Sequence, residues 1–326
     1  MKLSDLGEFS FLRRLRARVP ADPRVVLGVG DDCAAVTLAG LALLTTDALV
    51  EGVHFRLAWT TFSFLGEKAF AVNASDIAAM GGEPTCALLS LGVPRTCEVE
   101  ELEAFFDGFL RAAAPSGTTL VGGNLSAAPC MMISVTLLGR APYGTLTRAG
   151  ARVGDDLYVS GTLGDAALGL RLLQEGREEP VAQQSKARFL RPAARLTLGQ
   201  EIAARRLATA MIDISDGLLQ DLGHLCEESR VGALVEAAAL PLSPAYRTLV
   251  GEQNWGMALT GGEDYELLFA APPEQRAAIQ DLARGTHCPI TRIGRVVPRA
   301  ERVKVRGPDG AVFAPGRSGY DHFRRA

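Results

Sequence analysis

The stretch "TRAGARVGDDLYVSGTLGDAALGL", residues 147–170, joins two kinds of pattern. Turn residues, charges and glycines cluster over its first half, as at the start of a domain. A short apolar run, expected as a strand over 156–160, follows. Gly164 and Asp165 then open a helix expected over 164–175, whose N-terminus would suit an anion. Working outward, the same alternation recurs on both sides. Toward the N-terminus come a short amphipathic helix at 9–19, strands at 24–29 and 41–46, and a helix over "LGEKAFAVNASDIAAMGG" (65–82). A buried strand, a Phe-rich helix from 98 and strands at 118–122 and 131–139 complete that half. Toward the C-terminus, helices are expected at 186–206, 216–229 and 273–284. Strands are expected at 209–214, 256–260 and 266–270, before a tail of short strands around a Pro-Asp-Gly turn. The fold class is therefore mixed α/β (α+β), in two domains, residues 1–145 and 146–326, as a length of 326 residues favours.

Composition narrows the function. With 34 basic against 37 acidic residues the net charge is -3, so no broad basic surface for nucleic acid is expected. No apolar run is long enough for a membrane span, and the N-terminal segment has no secretory pattern. Six scattered cysteines without a C-x-x-C pair fit a reducing, cytoplasmic setting better than a zinc cage or disulfide framework.

Acidic residues carry the chemistry. Asp31 and Asp32 follow "LGVG", Asp47 lies in "LLTTDALVEGVHF", Asp213 and Asp216 in "MIDISDG", Glu263 and Asp264 in "LTGGEDYELLF". Each is expected where a strand-like run stops, on one rim of a sheet, where open α/β folds place ligands. Asp76 joins them, three residues after Asn73 and so on the same helix face. Any one of these acids is adequately explained as a turn or cap residue. Together they would repel one another unless cations sat among them. Oxygen ligands without a His/Cys grouping point to magnesium. The sequence has no G-x-x-x-x-G-K-[ST] loop and no H-R-D catalytic loop. Glycine-rich turns at "LVGGNLS" (Gly122, Gly123, Asn124) and the guanidinium of Arg148 remain as candidate phosphate contacts.

In order and over essentially the whole length, "GEFSFLRRL", "GVGDDCAAV", "TTDALVEGVHF", "AVNASDIAAMGGEP", the quoted 147–170 stretch, "IDISDGLLQDLGHL", "LTGGEDYELLF" and "GYDHF" resemble the thiamine-monophosphate kinase family, within the aminoimidazole ribonucleotide synthetase-like superfamily. The resemblance implies an N-terminal ATP- and magnesium-binding domain that dimerises through its sheet and a C-terminal α/β sandwich domain. It implies ATP-dependent phosphorylation of thiamine phosphate in a homodimer. Carried over by position, metal ligands fall on Asp32, Thr45, Thr46, Asp47, Asp76, Asp213 and Asp216, with several magnesium ions. Nucleotide contacts fall on Gly122, Gly123, Arg148 and Ser215, and substrate contacts on His54 and Glu263. Two positions depart from the family. Asn124 stands where an aspartate ligand is usual, and a neutral amide oxygen binds a cation more weakly. Arg317 stands near the usual aromatic, which passes ring stacking to Tyr320 or another residue. An acceptor that is already a phosphate needs no general base, so no catalytic side chain is assigned.

Overall fold

The computed structural model describes residues 11, 14–27, 35–37, 40–313 and 319. The chain forms two compact units, Met1–Ile77 with Gly82–Pro142, and Ala78–Gly81 with Tyr143–Ala326.

In the first unit, helical residues 11 and 14–16 precede a small antiparallel pair, β1 (Val25–Leu27) and β2 (Ala35–Val36). There follow β3 (Ala42–Val50), α1 (Phe62–Ala79), β4 (Glu83–Val93), α2 (Val99–Ala113), β5 (Thr119–Ala127) and β6 (Met132–Arg140). The four long strands form one sheet in the order β3-β6-β4-β5, parallel only between β4 and β5. Helix α2 starts at a capping box in which Glu98 and Glu101 satisfy each other's backbone N–H groups, and it buries Leu102, Phe105, Phe106 and Phe109. It packs on α1 with almost no side chain between them. A Cβ on Gly66 would lie 2.0 Å from Phe105 O, and one on Gly108 1.9 Å from Ser63 O.

The second unit runs β7 (Asp156–Ser160), α3 (Asp165–Gln174), α4 (Pro180–Leu190), α5 (Leu196–Ala204), β8 (Ala210–Asp213), α6 (Leu218–Ser229), β9 (Gly232–Glu236), α7 (Pro244–Leu249), α8 (Gly256–Thr260), β10 (Leu267–Ala271), α9 (Arg276–Thr286), β11 (Ile290–Val297), β12 (Val303–Arg306) and β13 (Val312–Phe313). Among the described residues its seven strands are ordered β13-β12-β9-β11-β7-β10-β8. Strands β7, β8 and β10 are buried at every position, because successive side chains feed two separate apolar layers. Leu157, Val159, Ile212 and Leu268 join one layer, and Tyr158, Met211, Leu267 and Phe269 the other. Tyr158 and Phe269 stack with ring centroids 5.3 Å apart. Among the described residues no helix is long and apolar enough to cross a membrane.

The structure departs from the sequence expectation at several elements. The run at 256–260, expected as a strand, is helix α8, since a five-residue apolar run carries no periodicity to distinguish the two. The helix expected over 186–206 is broken into α4 and α5 between Leu190 and Leu196, where Pro192 supplies no backbone N–H and disfavours helix before it. "LVGGNLS" is not a turn: Gly122 and Gly123 lie inside β5, where the register with β4 shifts. Asp47 sits within β3 and not at its end, and Glu263 and Asp264 precede β10.

Candidate functional site

In the first unit the polar residues of α1 meet the edge strand β3. Thr45 Oγ1 donates a short hydrogen bond to Asp76 Oδ2. Asn73, one turn earlier on the same helix, accepts the Asp47 N–H at 2.9 Å and donates its own amide to Ala69 O at 3.1 Å. An edge-strand N–H that would otherwise face solvent is thereby satisfied. Thr45 and Asp47 share one face of β3 by strand alternation, whereas the side chain of Thr46 points the other way. Thr46 Oγ1 donates to Val135 O at 2.9 Å and accepts from Thr136 Oγ1 at 3.3 Å. His54 Nδ1 accepts the Val50 N–H at 3.0 Å. An accepting nitrogen is unprotonated, so the neutral ring carries its hydrogen on Nε2. On β5, Gly123 permits a backbone approach closed to other residues, since a Cβ there would lie 1.8 Å from Leu89 O. The exposed Asn124 follows it, paired across the ladder with Ser90.

In the second unit two acidic stretches are laced together beyond the ends of β8 and β10. Asp213 closes β8 and is buried. A single oxygen of Asp221, in the first turn of α6, accepts the N–H groups of Ser215, Asp216 and Gly217, each at 3.1 Å. Burial, then the charges of Asp213 and Asp216, push the Asp221 carboxyl up to about 7. Asp216 Oδ2 accepts from Gln220 Nε2 at 3.1 Å. Gly319 lies against the same turn, where a Cβ would be 2.6 Å from Asp216 O. Across from this turn, Glu263 N–H donates to Ser215 O at 2.7 Å and Tyr265 N–H to Ile214 O at 2.8 Å.

The helix N-terminus singled out in the sequence is occupied by the protein itself. Asp264 Oδ2 accepts the Gly164 N–H at 2.7 Å and Oδ1 accepts the Ala166 N–H at 3.3 Å. Burial pushes the Asp264 carboxyl up to about 7. Two residues on, fully buried Glu266 accepts from Arg188, from Arg195 Nε at 2.6 Å and from Ser160 Oγ at 2.5 Å. Burial alone would raise its pKa, but the two guanidinium groups outweigh it and hold the carboxyl below its ordinary value. Arg148 is exposed, and its carbonyl accepts Ser229 Oγ at 2.7 Å.

The structure thus brings Thr45 to Asp76 and Asp47 to Asn73, and it brings Asp213, Ser215 and Asp216 around Asp221. Asp31, Asp32, Arg317 and Tyr320 lie outside the described residues. Among the described residues no three His, Cys, Asp or Glu groups are arranged as a metal cage. The donors still suit magnesium. That ion needs only one or two protein carboxylates, taking the rest of its shell from water and substrate phosphates. Burial raises Asp221 most, and the neighbouring charges of Asp213 and Asp216 add to it; only that second contribution is one a hard cation would relieve. Asp221 and Asp264 were not singled out as anchors in the sequence. For Asp221 the available signal was an acid in the first helical turn after Ser-Asp-Gly, the pattern of a carboxylate folded back onto N-terminal amides.

Comparison with known proteins gives consistent matches. The sequence model described as "AIR synthase related protein, N-terminal domain" matches residues 30–141, and the corresponding C-terminal domain matches residues 152–306. The chain is 41% identical to the thiamine-monophosphate kinase of Escherichia coli (strain K12), covering 97% of this chain and 98% of that one. The crystal structure of thiamine-monophosphate kinase from Stenotrophomonas maltophilia K279a is similar with a TM-score of 0.84 at 40% identity, covering 93% of this chain and 97% of that one. A structure described as "AaThiL complexed with AMPPCP and TMP" is similar with a TM-score of 0.77 at 36% identity, covering 99% of each chain.

Proposed function

Because the chain belongs to the thiamine-monophosphate kinase family, we propose that it transfers the γ-phosphoryl group of ATP directly to thiamine monophosphate, giving thiamine diphosphate and ADP, the last step of thiamine diphosphate synthesis. The observation that carries this reading is the likeness, over 99% of each chain, to a structure that holds AMPPCP and TMP together.

The acceptor oxygen is already anionic near neutral pH, so the chain's task is to bind and align two like-charged substrates. Magnesium, held by Asp32, Thr45, Asp47, Asp76, Asp213 and Asp216, with Thr46 and Asn124 completing the set, would screen that repulsion at the reacting phosphates. The Thr46 hydroxyl is engaged by Val135 O on the opposite face of β3, so it would have to leave that bond to join the other ligands. Gly122, Gly123, Arg148 and Ser215 take the nucleotide. Gly123 lets backbone approach closely, and Asp221 fixes the Ser215 peptide. His54, Glu263, Arg317 and Tyr320 take thiamine monophosphate. The Nε2 hydrogen of His54 is a donor for its phosphate, and the carboxylate of Glu263 suits its cationic thiazolium ring.

The same reading makes the enzyme a cytoplasmic homodimer. Support for the dimer comes from the sheet of the first unit, where Leu44 is 70% and Met132 45% exposed. The division of labour follows residues 1–145 and 146–326, the first for ATP, magnesium and dimerisation. A coupled assay of ADP release tests the reaction: release in the presence of ATP and magnesium should depend strictly on added thiamine monophosphate. ADP formed equally well without that acceptor would overturn it.

A further inference from the structure

Glu263 and Tyr265 adopt left-handed backbone conformations, with φ of 68° and 51°. L side chains resist that region, so the surrounding structure must hold both residues there. Their own N–H groups bond to Ser215 O and Ile214 O, at 2.7 and 2.8 Å. Both partners lie on one short stretch, residues 214–215. Asp264, between the two strained residues, ties the segment to a second element. The residue is 4% exposed, and its carboxylate straddles the first turn of α3, one oxygen on Gly164 N–H and the other on Ala166 N–H. Those amides have no partner within the helix. The segment before it has no slack either: a Cβ on Gly262 would lie 2.6 Å from Ser215 O, and one on Gly261 2.5 Å from Ala167 Cβ.

We propose that Asp264 is a positioning residue for the acceptor substrate: anchored on the first turn of α3, it holds Glu263 in its left-handed conformation and thereby sets the affinity of the site for thiamine monophosphate without touching it. The inference rests on the assignment of Glu263 to the acceptor. It separates the two substrates, because Ser215 on the nucleotide side has its own anchor in Asp221.

The test is steady-state kinetics with each substrate varied in turn, in wild type, Asp264→Asn, Asp264→Ser and Glu263→Gln, with thermal melts alongside. An amide retains one of the two acceptor oxygens and a hydroxyl reaches neither amide well. The KM for thiamine monophosphate should therefore rise about tenfold in Asp264→Asn and further in Asp264→Ser, while the KM for ATP stays within about twofold. An unchanged acceptor KM in both Asp264 variants, with Glu263→Gln raising it, overturns the inference and leaves the Glu263 assignment standing. An unchanged acceptor KM in Glu263→Gln instead removes that assignment. Parallel rises in both KM values with a lowered melting temperature, or failure of both Asp264 variants to fold, marks a structural role and also overturns the inference.

Discussion

A single methyl group on Gly123 tests the site's geometry severely. An ideal Cβ there lies 1.8 Å from Leu89 O, whereas a carbon–oxygen contact needs about 3.3 Å, so β5 and β4 would have to part by roughly 1.5 Å. The clash is with backbone on both sides, and no rotamer relieves it. A separation of that size takes the flanking ladder hydrogen bonds beyond bonding distance, at about 1 kcal/mol each, and adds an overpacking cost of about 1–3 kcal/mol. Gly123→Ala should thus destabilise the first unit by about 3–5 kcal/mol, a fall in melting temperature of roughly 10 °C. Gly122→Ala is the internal control. Its Cβ would meet a terminal methyl, Leu88 Cδ2, at 3.2 Å, which side-chain rotation relieves, and it should cost about 1 kcal/mol or less. Calorimetric melts of both variants without nucleotide read the difference directly. A Gly123→Ala protein that melts within about 3 °C of wild type would refute the reasoning, and with it the close approach assigned to β5.

Asp47→Asn should abolish turnover while leaving the melting temperature within about 2 °C of wild type, since it removes a metal ligand from an exposed strand position and no core side chain; near-normal activity counts against the assigned magnesium site. Glu266→Gln should cost about 3–5 kcal/mol in denaturant unfolding, because it leaves Arg188 and Arg195 without their buried counter-charge; a loss below about 1 kcal/mol would contradict the ion-pair reading. Asp264 gives a pH signature. Its carboxyl is raised from 3.8 to about 7 by burial, with Asp165 also raising it and Gly164 N–H, Ala166 N–H and Arg188 opposing, so its contribution is present below about pH 4 and lost as pH rises through about 7. The melting temperature of Asp264→Asn relative to wild type should therefore improve between pH 5 and pH 8, and a constant difference would show that the group does not titrate there.

The α/β architecture was legible wherever local pattern and tertiary demand agreed. Strand β7 occupies the expected 156–160, and Asp165 opens α3 after Gly164, because a buried apolar run followed by glycine leaves the chain few alternatives. Pattern failed where context decides. "MALT" packs as a helix because Ala258 and Leu259 find an apolar layer there. Gly122 and Gly123 sit in a strand because what requires glycine is the neighbouring backbone, which local sequence cannot reveal. For the site, the acid-bearing segments were recognisable from their residues, but their pairings were not. That Asp76 meets Thr45 and that Asp264 reaches back a hundred residues to Gly164 depend on which elements become neighbours. Asp221 shows the reverse case, a local cap pattern whose consequence appears only when three amides converge on one oxygen.

The most direct measurement follows the transferred group itself. With ATP labelled at the γ-phosphorus, magnesium and thiamine monophosphate, the label should appear in the terminal phosphate of thiamine diphosphate, in one-to-one proportion with ADP. Label recovered as inorganic phosphate, with thiamine monophosphate unchanged, would contradict direct transfer between the two substrates.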